Sequence, residues 1–131
     1  MSRAVQRKFQ KHYTRAEANA LLPHLRLWLK RIVQLRDELA KSEKRLENMM
    51  APGRDLGGPT VNASVRTLAD MKDVLLEFHR REIQIKDLDR GLVDFPALMD
   101  GREVFLCWED GEEDVGFWHE LDAGYQGREP L

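Results

Sequence analysis

The stretch TRAEANALLPHLRLWLKRIVQLRDELAKSEKRLENMM, residues 14–50, decides the fold. Thr14 followed three residues later by Glu17 is a capping box: the hydroxyl takes one free amide of a helix start and the carboxylate reaches back to another. From Ala18 the apolar residues recur every seven positions. Ala18, Leu25, Ile32, Leu39 and Leu46 form one row; Leu21, Trp28, Leu35 and Met49 form a second that only Ser42 breaks. Two such rows make the seam along which one long helix packs on another in coiled-coil fashion. Pro23 removes a backbone bond and crowds the preceding turn, yet the seam continues across it, so the pattern predicts one helix kinked near Pro23.

The next ten residues, APGRDLGGPT at 51–60, hold two prolines and three glycines and predict a loop. A second helix is predicted over 61–82, with Val61, Leu68 and Leu75 in one seam row and Met71 and Phe78 in the other. Val65, Val74 and Leu76 fall off that seam, so this helix should touch more than one neighbour. The surplus stripe must meet the C-terminal region or a second copy of the chain, which makes a homodimer one of the two expected arrangements. Folded back, the second helix is too short to cover the first. The residues from Thr14 to about Leu25, with Pro23 and His24, should then lie beside whatever follows the second helix.

From Ile83 the period changes from helical to alternating. LVDFPAL, REVFLCW and DVGFWHE are short, β-branched or aromatic, and separated by turn residues, of which Asp100-Gly101 and Asp110-Gly111 are the clearest. Pro96 places its strand's end, or an edge, at that point. The tail ELDAGYQGREPL is glycine-rich but carries Tyr125 and Leu131, which predicts an ordered strap. The fold class is therefore α+β, mainly α: a long antiparallel helical hairpin, a small antiparallel β meander over 83–131, and a C-terminal strap. A single domain of 131 residues is the expectation, led by a basic solvated arm over 1–13.

The composition bounds the function. Lysine and arginine number 21 against 23 acidic residues, a net charge of -2, which argues against general binding of nucleic acid or an anionic membrane. There is no apolar run of spanning length, and a single cysteine, Cys107, cannot form an internal disulfide. A cytoplasmic protein with no nucleic-acid or membrane partner is expected. Lys41, Lys44 and Arg45 alternate with Glu38, Glu43 and Glu47 as on a solvated helical face. Arg80 and Arg81 suit the negative end of the second helix.

Three groups of residues could carry chemistry. Asp87, Asp89 and Asp94, with His119 and Glu120, offer the oxygen and nitrogen ligands of a divalent metal, although their spacing fits no metal fingerprint. The structural alternative is that Asp87 and Asp89 shape a turn and pair with Lys86, Arg90 or Arg102. Trp108, Phe117, Trp118, His119 and Tyr125 could line a ligand pocket; a module this small needs such rings in its core. Arg128 could clamp an anion or anchor the tail to Glu120 or Asp122. Cys107, next to Trp108, would raise nucleophilic catalysis if the strands set it across from His119, against which it reads as a small buried strand residue sharing a face with Phe105.

YTRAEANALLP (13–23) and the run from IKDLDRG to QGREPL (85–131) resemble a bacterial family of unknown function, number 2203 in its series. The resemblance covers most of the chain, outside the arm and the loop between the helices. It implies helices plus a short β region and brings no established activity, cofactor or catalytic residue. The favoured reading is an interaction or scaffold protein, not an enzyme, whose functional surface is Asp87, Asp89, Asp94, Trp118, His119, Glu120 and Arg128. The rivals are a small metal-dependent or acid-base enzyme using the Asp/His/Glu cluster, and a small-ligand binding protein. No cofactor is required beyond the divalent metal of the first rival.

Overall fold

A computed structural model describes residues 6–49 and 58–131. Two long helices, α1 (Arg15–Met49) and α2 (Gly58–Arg80), precede five strands: β1 (Gln84–Asp87), β2 (Leu92–Met99), β3 (Arg102–Glu109), β4 (Phe117–Glu120) and β5 (Glu129–Pro130). The strands form one antiparallel sheet in the order β1-β2-β3-β4-β5. The expected hairpin, meander and strap are all present. The expected helix end at Met50 and most of the expected loop, 50–57, lie outside the described residues.

The chain divides into two compact units. One comprises the described residues up to Arg26 with Phe78–Leu131; the other is Leu27–Glu77. α1 thus gives its first turns to the sheet unit and the remainder to a helical hairpin.

Thr14 caps α1 as its sequence predicts. Its Oγ1 accepts from the Glu17 amide at 3.1 Å, and its own amide donates to Glu17 Oε1 at 3.0 Å. Thr14→Ala removes one arm of the box and should cost about 1 kcal/mol in urea unfolding. The helix passes through Pro23 without a break. Ala18, Leu22 and Leu25 are its buried residues within the sheet unit, while Pro23 and His24 are exposed. Early in α1 the buried positions are thus Leu22 and Leu29 in place of the expected Leu21 and Trp28, before Leu35 and Ser42 resume the heptad row. The first turns of α1 belong to the sheet unit and the later ones to the hairpin, so the helix buries its side chains against two different sets of neighbours.

In the hairpin unit Arg31 and Asp70 face each other at 3.9 Å across the two helices. α2 is already helical at Gly58, the first described residue after 49 and three residues ahead of the predicted start, and Pro59 suits a first helical turn, whose amides need no partner in the helix. Its seam also differs from expectation. Ser64, Thr67 and Phe78 are buried and Met71 and Val74 half-buried, whereas Val61, Val65, Leu68 and Leu75 are 38%, 60%, 50% and 42% exposed. Counting apolar residues favoured the valine and leucine row, but small hydroxyls permit close helix approach, and Thr67 satisfies its own by donating to the Ala63 carbonyl at 2.9 Å.

α2 ends in a Schellman motif: Ile83 N–H donates to Phe78 O and Glu82 N–H to His79 O, both at 3.1 Å. The left-handed residue of that motif is usually glycine; here it is Glu82, with φ 56°. Its strained backbone places the carboxylate against the segment before α1, where Oε1 accepts the amides of Gln10 at 2.9 Å and Lys11 at 2.8 Å. Glu103 on β3 takes the two preceding amides, Lys8 at 2.6 Å and Phe9 at 2.9 Å, and also meets His12 at 2.9 Å. Phe9 and Tyr13 are buried, with Phe9 edge-on to Phe105 and Tyr13 edge-on to Phe95. The segment expected as a solvated arm is therefore fastened at Phe9, Tyr13 and its backbone amides, while Gln6, Arg7, Lys8, Gln10 and Lys11 are exposed. Its charged side chains suggested solvent, while the fastening is made by backbone amides to carboxylates more than seventy residues away.

The β2–β3 turn is the two-residue turn read from the sequence, with Asp100 and Gly101 at φ 51° and 80°. Pro96 sits inside β2, opposite Phe105, and its position is an edge all the same. β1 pairs β2 only up to Asp94, and beyond that point the Pro96 carbonyl accepts the Tyr13 amide at 2.7 Å. A proline's missing donor therefore leaves no gap in the ladder.

Candidate functional site

Strand pairing decides which side chains meet. Asp94 on β2 lies opposite Cys107 on β3, and Phe105, two residues from Cys107, lies opposite His119 on β4. Alternation along each strand then puts Asp94, Cys107 and His119 on one face of the sheet. The imidazole spans β3 above Phe105, their ring centres 5.5 Å apart, and reaches Asp94: Nε2 to Oδ2 is 2.9 Å. All three side chains are 0–2% exposed, and one ligand atom of each lies within 4.8 Å of the others.

The protonation of this pair follows from its partners. His119 Nδ1 is 2.6 Å from the Glu120 carbonyl, an oxygen that only accepts, so Nδ1 carries a proton. Asp94 and Nε2 therefore share one proton between them. Burial raises the Asp94 carboxyl above its ordinary range, while the charge and hydrogen bond of His119 and the charge of Lys86 pull it back. Asp94 Oδ1 accepts no hydrogen bond of ordinary length, although it is buried; the Cys107 thiol is its weak neighbour. Burial, followed by the charge of Asp94, pushes the Cys107 thiol up to about 12, against the opposing influence of Arg128. Burial thus disfavours the thiolate, the form that nucleophilic catalysis uses, and both nitrogens of the adjacent imidazole are engaged by Asp94 and the Glu120 carbonyl.

The remaining expected site residues lie elsewhere. Trp118 and Glu120 alternate with His119 and point to the opposite face, where Arg102 pairs with Glu120 at 2.7 Å and lies over the Trp118 ring at 5.7 Å. Asp87 Oδ1 accepts the Arg90 amide at 3.1 Å and so shapes the β1–β2 turn that also contains Asp89. Arg128 anchors the strap, but to Glu112, at 2.5 Å, and not to Glu120 or Asp122. Its guanidinium stacks on Phe117 at 3.8 Å and Tyr125 at 4.6 Å and sends Nη1–H toward Cys107 Sγ at 3.7 Å. Of the expected acidic cluster, Asp94 and His119 converge, and Cys107 completes the set. Trp108 is fully buried, with Nε1–H donated to the Glu112 carbonyl at 3.0 Å, which makes it core.

The first turns of α1 bear on the loop that orients β4. Asn19 Oδ1 accepts the Val115 amide at 2.6 Å, Arg26 reaches the Glu113 carbonyl at 3.3 Å and lies over Trp108, and Arg15 faces Asp114 at 3.7 Å. This combination of an N-terminal helix holding a sheet loop and a C-terminal strap closing over β4 runs through nearly the whole chain. A family model described as an uncharacterized conserved protein, DUF2203, matches residues 11–131.

The chain belongs to the DUF2203 family. That match contains every residue of the buried cluster and both helices, and it starts within the fastened segment before α1. No curated protein matches this DUF2203 chain, and no solved structure does. Among the described residues, no helix is long and apolar enough to cross a membrane.

Proposed function

We propose that this DUF2203 protein is an interaction protein that self-associates through α2. The observation that carries the reading is the exposed row Val61, Val65, Leu68 and Leu75 beside a buried row containing Ser64 and Thr67. At 100° per residue the exposed row lies about a quarter-turn from the buried one. Hydrophobic surface placed beside a hairpin's own seam suits a second hairpin packed alongside, which makes a four-helix bundle. A second copy supplies the same stripe under two-fold symmetry, so each residue counts twice.

Sedimentation velocity at micromolar concentrations should show a dimer. Val65→Glu with Leu68→Glu should weaken it by roughly 100-fold while leaving the circular dichroism unchanged. A wild-type chain that stays monomeric throughout that range overturns the proposal.

The β module supports binding over catalysis in this reading. Its three chemically capable side chains are sealed from solvent, and its one thiol is held protonated. The proposal places the protein in the cytoplasm, where a lone reduced cysteine is the ordinary state.

A further inference from the structure

We infer that Asp94, Cys107 and His119 form a binding site for a single zinc-class divalent ion, held by carboxylate, thiolate and imidazole inside the sheet unit. The residue types come first. Sulfur with imidazole and one carboxylate selects borderline or soft ions such as zinc or cobalt(II) and disfavours magnesium and calcium, which require oxygen cages.

The geometry is close to what such an ion requires. The three ligand atoms lie within 4.8 Å of one another. A tetrahedral ion with bonds of about 2.0–2.3 Å needs its ligands roughly 3.5 Å apart. The Asp94–His119 contact of 2.9 Å must open by about half an ångström to admit the ion.

The surroundings add independent support. A histidine that ligates through one nitrogen ordinarily donates its other N–H to a carbonyl or carboxylate, and His119 does so to Glu120 O. Arg128 directs an N–H at Cys107 Sγ, a contact that stabilises a thiolate, and its own charge is balanced by Glu112. Asp94 Oδ1 is buried without an ordinary partner, leaving lone pairs for an ion or its bound water. That orphaned oxygen is costly in a purely structural pair and useful in a coordination site.

Charge balance fits the same reading. On binding, the thiol proton of Cys107 and the proton shared by Asp94 and His119 leave as the ion enters. Two protons exchange for one divalent ion, and the buried cluster is neutral before and after. Since the three residues are sealed, the ion enters during folding.

The test is refolding of the full chain under reducing conditions with cobalt(II), followed by absorption spectroscopy and metal analysis of the desalted protein. The wild type should bind one ion per chain and show both tetrahedral cobalt bands and a thiolate-to-metal charge-transfer band. Zinc should raise the unfolding midpoint by roughly 5–10 °C, and magnesium should not. Cys107→Ala should lose the charge-transfer band and the zinc-dependent shift while folding by circular dichroism. Should that variant fail to fold, Cys107→Ser and Asp94→Asn serve in its place, each with reduced cobalt retention. Refolded wild type without these bands, or variants that retain cobalt as well as wild type does, overturn the assignment.

Discussion

His119→Ala should lower the metal-free protein's stability by about 3–5 kcal/mol, the usual cost of deleting one partner from a buried polar pair. The substitution removes the imidazole that spans β3, leaves Asp94 with the weak Cys107 thiol as its remaining partner, and opens a cavity above Phe105. Urea unfolding followed by fluorescence measures the effect. Asp94→Asn is the informative contrast. Because Nδ1 already carries a proton, a neutral imidazole presents Nε2 as an acceptor, and an asparagine amide can donate to it as a protonated Asp94 does. That variant should cost about 1 kcal/mol or less.

The pH dependence has a definite sign. Asp94 is raised above its ordinary value, so its contribution is fully present below the unfolded-state value and is lost as pH rises through the folded one. Wild-type stability should carry a component that is lost as pH rises through the folded-state value of Asp94, and Asp94→Asn should remove it. An asparagine variant as damaged as His119→Ala would show that the pair's charge, and not its shared hydrogen bond, holds the sheet face together.

The second large effect is expected at Glu103. Burial alone would raise this carboxyl, but hydrogen bonds from His12 and from the Lys8 and Phe9 amides outweigh it and hold Glu103 at about 2. Glu103→Ala removes all three and frees the Phe9 ring from Phe105, at a cost of about 3–5 kcal/mol. Limited trypsin digestion should then cleave at Lys8 and Lys11 well before the sheet. A carboxyl lowered on folding contributes stability above its unfolded value that is lost as pH falls toward the folded one. Glu103→Gln should therefore flatten the acid limb of the stability curve between 4.5 and about 2. Unchanged digestion at Lys8 and Lys11 in the alanine variant would show that Glu82 alone fastens the segment.

Much of this was legible in the residues, and the failures have separate causes. The capping box, the paired helices, the strand periods and the Asp100-Gly101 turn were all local signals, and local signals survive folding. That turn contained more than was taken from it. A two-residue turn fixes the register of its strands, and Asp94 and Cys107 each lie six residues from it, on either side. The Asp94–Cys107 pairing is therefore open to inference from the turn, although the sequence reading weighs Cys107 only as a nucleophile or a buried strand residue and not as a neighbour of Asp94. His119 was less accessible, since the irregular stretch between β3 and β4 leaves that register unfixed. The α2 seam was misjudged because hydrophobicity ranked the rows, whereas helix packing also rewards small side chains. The fastened N-terminal segment was invisible because amide-to-carboxylate bonds across the chain leave no periodic trace.

The sheet unit is assembled from two stretches of chain that are interrupted by Leu27–Glu77. Its strands are neighbours in sequence and can zip up early, whereas residues 8–13 must return to Glu82, Pro96 and Glu103 across the whole intervening excursion. The entropy of closing such a loop rises only logarithmically, so doubling the excursion would add about 0.6 kcal/mol. Evolution can therefore lengthen or shorten the helical hairpin in whole heptads at almost no thermodynamic penalty to the sheet, and its length is left to be set by what it must reach.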